Sequence, residues 1–188
     1  DIRTPINGII GMLAVAKRYP DDLKKQDECR EKISKASQLL LELINEVLDM
    51  GKLESGEVVL EEKSFHLQEL LNEVLTVIEK LAQERGIEVI KRDLSVTHWN
   101  LIGSPGHLKR LLMNIMGNAV KYNKDQGKII LSLREDESED GRAFYTFICK
   151  DTGIGMSEEY QKRIFEPFTR EDESVKTAYN GTGLGMPI

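Results

Sequence analysis

The chain has 188 residues, 40% of them hydrophobic and 31% charged, and its formal net charge is −6. This length allows one large or two small domains, and the acidic balance disfavours broad nucleic-acid binding. No apolar run reaches the roughly 18–20 residues of a membrane span, and no signal peptide is visible. Cys29 and Cys149 lie far apart without metal-ligand spacing, a pattern typical of buried thiols in a reducing compartment.

The first 55 residues predict a helical hairpin. Apolar residues recur at steps of three and four from Ile2 to Ala16, and Pro5 is tolerated only if it lies in the first turn. After a turn rich in proline and aspartate, apolar residues repeat in a heptad pattern from Ile33 to Met50. One hairpin leaves half of its apolar seam exposed. We therefore expect it either to pair with a second copy in a four-helix bundle or to pack on the downstream segment.

Two glycines in residues 51–56 mark the boundary between two predicted domains, 1–55 and 56–188. Beyond it, an amphipathic pattern from Leu67 to Arg85 predicts a helix that Gly86 ends. Alternating apolar residues predict strands or short extended segments at 57–60, 64–67, 87–91, 99–103, 128–134 and 143–150. Residues 135–142 are expected to form a solvated acidic hairpin loop, and His66, between two apolar residues, is interpreted as structural. Three or more strands with helices on one face indicate an α+β sandwich.

A helix that begins at Ser104 and Pro105 is predicted to carry two asparagines on one side. Ser104 is a capping hydroxyl, and proline suits the first helical position. The residues expected to face the core are Leu108, Leu111, Leu112, Ile115 and Ala119. Asn114 and Asn118 are four residues apart, and Lys121 can reach the same side. Because asparagine is unfavourable inside a helix, the pair suggests a ligand site, although a solvated polar face would produce the same pattern.

The segment FICKDTGIGM, residues 147–156, ends an apolar strand at Asp151 and continues into a glycine turn. Such a turn can bring the backbone close to a ligand. A carboxylate only accepts hydrogen bonds, so it suits an exocyclic amine such as that of adenine better than a phosphate. A second glycine cluster, residues 181–185, can expose backbone N–H groups to an anion. The polar residues 169–180 between the two clusters fit either a mobile cover or a plain surface loop.

Together these segments resemble the catalytic core of a two-component sensor histidine kinase. DIRTPINGIIG is similar to the segment after the phospho-acceptor histidine, LLMNIMGNAVKYN to the N box, DTGIGM to the first glycine box, FEPF to the F box and GTGLGM to the second glycine box. VLDMGKLESGEVVLEEKSFHLQELL resembles the connector of hybrid kinases. The resemblance implies an α+β chain: a hairpin forming half of a dimeric four-helix bundle, then an α/β-sandwich ATP-binding domain. That domain would be of the Bergerat (GHKL) type and would lack its last helix and strands.

The resemblance also implies roles for individual residues. Asp151 would bind the adenine amine, and Asn118 would bind Mg²⁺ on the phosphates of ATP, beside Asn114 and Lys121. Tyr122 would lie near the phosphates or the ribose. The remaining nucleotide-binding residues implied are Gly153, Gly155, Gly181, Thr182, Gly183, Leu184, Gly185 and Arg170, the last near the γ-phosphate. Ser104 and His107 depart from the aspartate and arginine that the family usually has.

In the hairpin, the acceptor histidine would directly precede Asp1, which would help to take the imidazole proton. Thr4 would orient water in the phosphatase reaction. The implied function is transfer of the γ-phosphate of ATP to a histidine and then to an aspartate of a response-regulator receiver domain. The chain by itself would lack the acceptor histidine. It would belong to the cytoplasmic portion of a homodimer that binds no nucleic acid and is anchored in the inner membrane by other regions.

Two alternatives remain at this point. One is another ATPase of the same superfamily, although such enzymes commonly place a glutamate base near the position of Asn114. The other is a pseudokinase that serves as a dimeric scaffold and signals by interaction alone.

Overall fold

The computed structural model describes residues 2–136, 142–167, 169 and 185–187. Contacts divide the chain into a helical unit, which runs to Val58 and takes in the turn at residues 185–187, and a second unit from Val59 onward. Among the described helices, none combines the length and the hydropathy that a bilayer span requires.

The helical unit is the predicted hairpin, with α1 at Arg3–Arg18 and α2 at Leu23–Glu54. Pro5 lies in the first turn of α1, where a missing N–H costs no helical hydrogen bond. The Gln26 amide closes the loop, since its Nε2 donates to the carbonyl oxygens of Ala16 at 2.7 Å and Tyr19 at 2.9 Å. Helix α2 continues through Gly51, so it ends slightly later than the first glycine suggests.

The hairpin leaves apolar side chains uncovered. Cys29 and Leu43 are buried. Among the described side chains of the hairpin, the exposed large aliphatic residues are Ile2, Ile6, Ile10, Leu13, Leu23, Leu41, Ile44, Val47 and Leu48. Several of these are about half exposed, such as Ile10 at 60% and Leu48 at 58%. A hydrophobic surface of this kind is typical of a helix pair that packs against further helices.

The second unit contains, in chain order, β1 (Lys63–His66), α3 (Leu67–Gln83), β2 (Glu88–Ser95), β3 (Asn100–Gly103), α4 (Pro105–Lys121), β4 (Lys128–Asp136), β5 (Phe144–Asp151) and the single turn α5 (Glu158–Gln161). Strands β1 and β3 form an antiparallel pair. In the larger sheet, β4 lies in the middle, parallel to β2 and antiparallel to β5. This mixed sheet with its helices confirms the predicted α+β class. Residues 57–60, predicted as a strand or short extended segment, form no strand.

Helices α3 and α4 build the core of this unit together with the alternating residues of β4. Ile129, Leu131 and Leu133 are buried as predicted, and Ile78 and Met116 are at most 1% exposed. Burying a side chain of this size stabilises the fold by roughly 1.5–3 kcal/mol. The prediction for Leu111 is wrong, because that side chain is 52% exposed. The core face of α4 carries Leu112, Met116, Ala119 and Val120 instead.

Two loop or cap residues differ from prediction, whereas Gly86 does not. Ser104 makes no side-chain cap, because its Oγ lies 2.7 Å from Nδ1 of His107 instead. Glu135 belongs to β4 and is not simply solvated, since its carboxylate accepts hydrogen bonds from the N–H groups of Thr97 and His98 and contacts the His98 ring. Gly86 ends the helical segment with φ +64, as predicted.

His66 stacks on Trp99, with 6.3 Å between the ring centroids and 11° between the planes. The Leu67 N–H donates to the Trp99 carbonyl oxygen at 2.8 Å, which connects the start of α3 to the residue before β3. These contacts support the structural interpretation of His66.

Candidate functional site

Several of the predicted site residues lie at the C-terminal end of α4. Asn114, Asn118 and Lys121 belong to the helix, and Tyr122 is its C-terminal cap. The Tyr122 N–H donates to the Asn118 carbonyl oxygen at 2.9 Å. Four helical residues span about 6 Å, so Asn118 lies one turn above the helix end. Both asparagines are half-buried.

The glycine turn after β5 is docked directly on this helix end. The Ile154 N–H donates to the Tyr122 carbonyl oxygen at 3.1 Å. A Cβ atom on Gly153 would stand 2.4 Å from the same oxygen and 2.7 Å from Oδ1 of Asp151, so only glycine allows this approach. Gly155 has φ +72, a conformation that glycine adopts without strain. The structure thus brings the first glycine turn against the asparagine-bearing helix.

Asp151 is exposed at the end of β5, next to this contact. Its Oδ1 accepts a hydrogen bond from the Gly153 N–H at 2.8 Å, which orients the carboxylate. A carboxylate has acceptor capacity left after one such bond, so it can receive a further donor from a ligand.

A buried polar network holds the site together, and sequence reasoning missed it. Asn123 is 1% exposed, and its Nδ2 donates to the Lys128 carbonyl oxygen at 3.1 Å. Its Oδ1 accepts from the Thr152 hydroxyl at 3.1 Å, while that hydroxyl accepts from the Lys128 N–H at 2.9 Å. These bonds join the end of α4, the start of β4 and the end of β5. In the sequence, the only sign of this network was that Asn123 and Thr152 are polar residues close to Gly127 and Gly153.

Lys121 and Tyr122 form a cation–aromatic pair at the helix end. The ammonium nitrogen of Lys121 lies 4.9 Å from the centroid of the Tyr122 ring. Such a contact orients the lysine stem while leaving the charge able to meet an anion.

Cys149 lies two residues before Asp151, in register with the buried Leu131. Burial, and secondarily the charge of Asp151, raises the pKa of its thiol to about 11. The thiol is therefore protonated at neutral pH and behaves as a small apolar group.

The remaining predicted residues are distributed as follows. Thr4 is exposed in the first turn of α1, and Gly185 lies in the turn at residues 185–187, grouped with the helical unit. Asp1, Arg170, Gly181, Thr182, Gly183 and Leu184 lie outside the described residues. Within the part of the chain that the structure covers, no three histidine, cysteine or acidic side chains cluster as metal ligands.

Comparison with known proteins assigns both units. Residues 1–56 match the family model of the His Kinase A (phospho-acceptor) domain, and residues 103–188 match that of the histidine kinase-, DNA gyrase B- and HSP90-like ATPases. The chain is 34% identical to the sensor histidine kinase GacS of Pseudomonas protegens, over all of this chain and 20% of GacS. It is 36% identical to hybrid signal transduction histidine kinase K of Dictyostelium discoideum, over 99% of this chain and 16% of that protein. The chain thus spans a fifth or less of these relatives' length.

Two solved structures show the same architecture. The full-length structure of ShkA in complex with AMPPNP superposes with a TM-score of 0.71 at 28% identity, over 98% of this chain and 37% of ShkA. The histidine kinase ThkA in complex with the response regulator protein TrrA superposes with a TM-score of 0.63 at 25% identity, over 90% of this chain and 48% of ThkA.

A phospho-acceptor helical domain followed by a GHKL-type ATPase domain defines a class of ATP-dependent signalling proteins. The chain carries both of these histidine kinase domains, and its relatives are sensor histidine kinases that include a hybrid type.

Proposed function

We propose that the protein containing this chain transfers the γ-phosphate of ATP to a histidine and then to an aspartate of a response regulator. The observation that carries the proposal is the docking of the Gly153 turn on the Tyr122 carbonyl oxygen. That contact places an oriented carboxylate beside the helix end that bears two amides and a cation. One end of such a site suits the adenine amine, and the other suits phosphates.

In this proposal each residue has a positional task. Asp151 accepts the adenine amine, its carboxylate held by the Gly153 N–H. Lys121 meets phosphate oxygens, and Asn114 and Tyr122 line the same helix end. The other proposed nucleotide contacts are Gly155, Arg170, Gly181, Thr182, Gly183, Leu184 and Gly185. Phosphoryl transfer depends mainly on such positioning and on charge stabilisation.

Asn118 is proposed to hold Mg²⁺ through its amide oxygen. Magnesium commonly takes only one or two protein oxygen ligands and completes its shell with water and substrate phosphates. A lone amide oxygen near the phosphate end fits this mode, and the described residues offer no acidic cluster that would bind the ion without nucleotide. When bound, Mg²⁺ neutralises charge on the phosphate oxygens.

The hairpin is proposed to dimerise and to present the acceptor. The match to the phospho-acceptor family implies dimerisation, and the exposed apolar residues of α1 and α2 would supply the interface. The acceptor histidine is proposed to directly precede Asp1, with Asp1 and Thr4 assisting proton and water chemistry. A receiver domain as partner is supported by the ThkA complex with TrrA. The cytoplasmic location, the inner-membrane anchor of the parent and the absence of nucleic-acid binding remain predictions.

The decisive experiment measures label transfer in the full-length protein. With γ-labelled ATP and Mg²⁺, we expect an alkali-stable, acid-labile phosphohistidine. Asp151→Asn should abolish it by weakening nucleotide binding, and Asn118→Ala should require a much higher Mg²⁺ concentration. Asn100→Ala, at an exposed position on β3, is the matched control and should label like the wild type.

Three outcomes would contradict the proposal. A wild-type protein that dimerises and stays unlabelled would support the scaffold alternative. Free phosphate released from ATP without a protein-bound intermediate would support a direct ATPase. Labelling that survives both site variants would place the nucleotide elsewhere.

A further inference from the structure

We propose that Arg85 is a positioning residue of the nucleotide site, although it lies on a different element from every residue expected to touch the nucleotide. This inference rests on the proposed function. Arg85 follows α3, and its side chain reaches across to the C-terminal end of α4. No nucleotide contact is assigned to it.

The Arg85 guanidinium binds three carbonyl oxygens of that helix end. Nη1 donates to Val120 at 2.7 Å and to Lys121 at 3.0 Å, and Nη2 donates to Asn123 at 2.7 Å. Its Nε donates to Oδ1 of Asp125 at 3.0 Å. The last carbonyls of a helix have no partner within the helix, and their end of the helix dipole is negative. A cation with several donors therefore satisfies both needs at once.

Arg85 does not bind the Tyr122 carbonyl oxygen, which is the acceptor for the glycine turn after β5. Arg85 takes the carbonyl oxygens of residues 120, 121 and 123, whereas Tyr122 receives the Ile154 N–H and lies against Gly153. Residues 120–123 are thus bound both by the Arg85 side chain and by the turn that orients Asp151. A shift of this segment would change the distance between the adenine end and the phosphate end of the site.

Backbone hydrogen bonds around Arg85 reinforce these side-chain contacts. The Gln126 N–H donates to the Arg85 carbonyl oxygen at 3.1 Å, and the Glu88 N–H donates to the Gly127 carbonyl oxygen at 2.9 Å. The loop after α3 and the loop after α4 therefore brace each other. Only the guanidinium fork can serve these acceptors together, since a lysine ammonium is one compact charge with a different donor geometry.

The test uses the full-length protein and compares Arg85→Lys with two controls. Asp125→Asn weakens the exposed ion pair and keeps the three carbonyl contacts. Ile78→Val removes one methylene group from the buried face of α3 and leaves the Arg85 side chain unchanged. It is the control for a general loss of stability. Calorimetry measures ATP binding with Mg²⁺ at a temperature where every variant is folded. Hydrogen exchange measures protection of the Ile154 amide.

We expect Arg85→Lys to weaken ATP binding about tenfold, because acceptors at the helix end lose their donors. It should also speed exchange at the Ile154 amide, which a merely destabilised core would not do selectively. Asp125→Asn and Ile78→Val should bind ATP like the wild type. If the Arg85→Lys variant does not fold, Arg85→Gln is measured in its place, because the glutamine side-chain amide supplies two N–H donors.

The outcomes separate this inference from the proposed function. A wild-type protein that binds no ATP overturns the proposed function itself. A wild type that binds ATP and an Arg85→Lys variant that binds equally well overturn only the role of Arg85. An equal loss in Ile78→Val would reduce that role to general stability and would also overturn it.

Discussion

Gly153 and Tyr122 are in contact such that a Cβ atom on Gly153 would stand 2.4 Å from the Tyr122 carbonyl oxygen. That oxygen also accepts the Ile154 N–H. The Tyr122 carbonyl oxygen therefore joins two segments that lie about thirty residues apart in the sequence. The relative placement of Asp151 and the α4 asparagines depends on this contact.

Gly153→Ala should reduce ATP binding by about tenfold or more, because the added methyl group pushes the turn off the helix end. Isothermal calorimetry checks this loss. Gly106→Ala, in the first turn of α4 with open space around its Cβ position, should bind ATP normally and gain roughly 0.5–1 kcal/mol of stability. Normal ATP binding by the Gly153 variant would contradict the proposed adenine site.

Asn123→Asp should lower the free energy of unfolding by roughly 1–3 kcal/mol, because a carboxylate cannot donate to the Lys128 carbonyl oxygen. Urea denaturation at neutral pH measures the change. Asn72→Asp, at an exposed position of α3, should change stability by no more than about 0.5 kcal/mol. Equal effects at the two positions would mean that the buried network contributes nothing specific.

Leu112→Ala and Leu111→Ala compare adjacent residues of α4, one buried and one exposed. Leu112 is 3% exposed, so its truncation should cost about 2–5 kcal/mol. Leu111 is 52% exposed, and its truncation should cost less than about 1 kcal/mol. Chemical denaturation of both variants tests whether Leu112 alone contributes to the core, whereas the sequence pattern predicts a core position for both leucines. A larger loss at Leu111 would mean that another part of the protein covers that residue.

The Glu135 carboxylate should make the free energy of unfolding depend on pH in the acid range. Its pKa falls from 4.5 to about 2, chiefly because of the His98 ring, and further because the backbone N–H groups of His98 and Thr97 donate to it. A lowered folded-state pKa stabilises the protein above about pH 4.5, and this contribution is lost as the pH falls toward 2. Glu135→Gln should therefore be less stable than the wild type at pH 7, with a difference that shrinks across this range.

Urea midpoints measured at several pH values check the effect. Glu62→Gln, at an exposed position before β1, controls for the loss of one negative charge. A difference that stays constant between neutral pH and pH 2 would contradict the role of the Glu135 carboxylate.

Much of the fold follows from local patterns. The alternation in β4, the amphipathic α3 and the glycine at position 86 each predict their elements, because burial on one face and a positive φ depend on nearby residues. The exposure of Leu111 does not follow from the sequence, because two adjacent leucines do not define which side of α4 faces the core. The packing of α4 against neighbouring elements decides this.

The contacts that shape the site were less predictable. Arg85 meets acceptors 35–40 residues away, and Asn123 meets Thr152 across 29 residues. In the sequence, Arg85, Asn123 and Thr152 look like ordinary polar surface residues, because their contacts form only when distant loops fold together. Ser104 shows the reverse case: a residue type typical of a cap bonds to a neighbouring ring instead, because His107 lies within reach.

The state of Cys149 has a consequence for inhibitor chemistry. A cysteine two positions from the carboxylate proposed to bind adenine would invite an electrophilic warhead on an ATP-competitive compound. With a pKa of about 11, only about one thiol in ten thousand is ionised at neutral pH, and the thiolate is the reactive form. The side chain is also half-buried. Acrylamide-type ligands should therefore leave this cysteine unmodified.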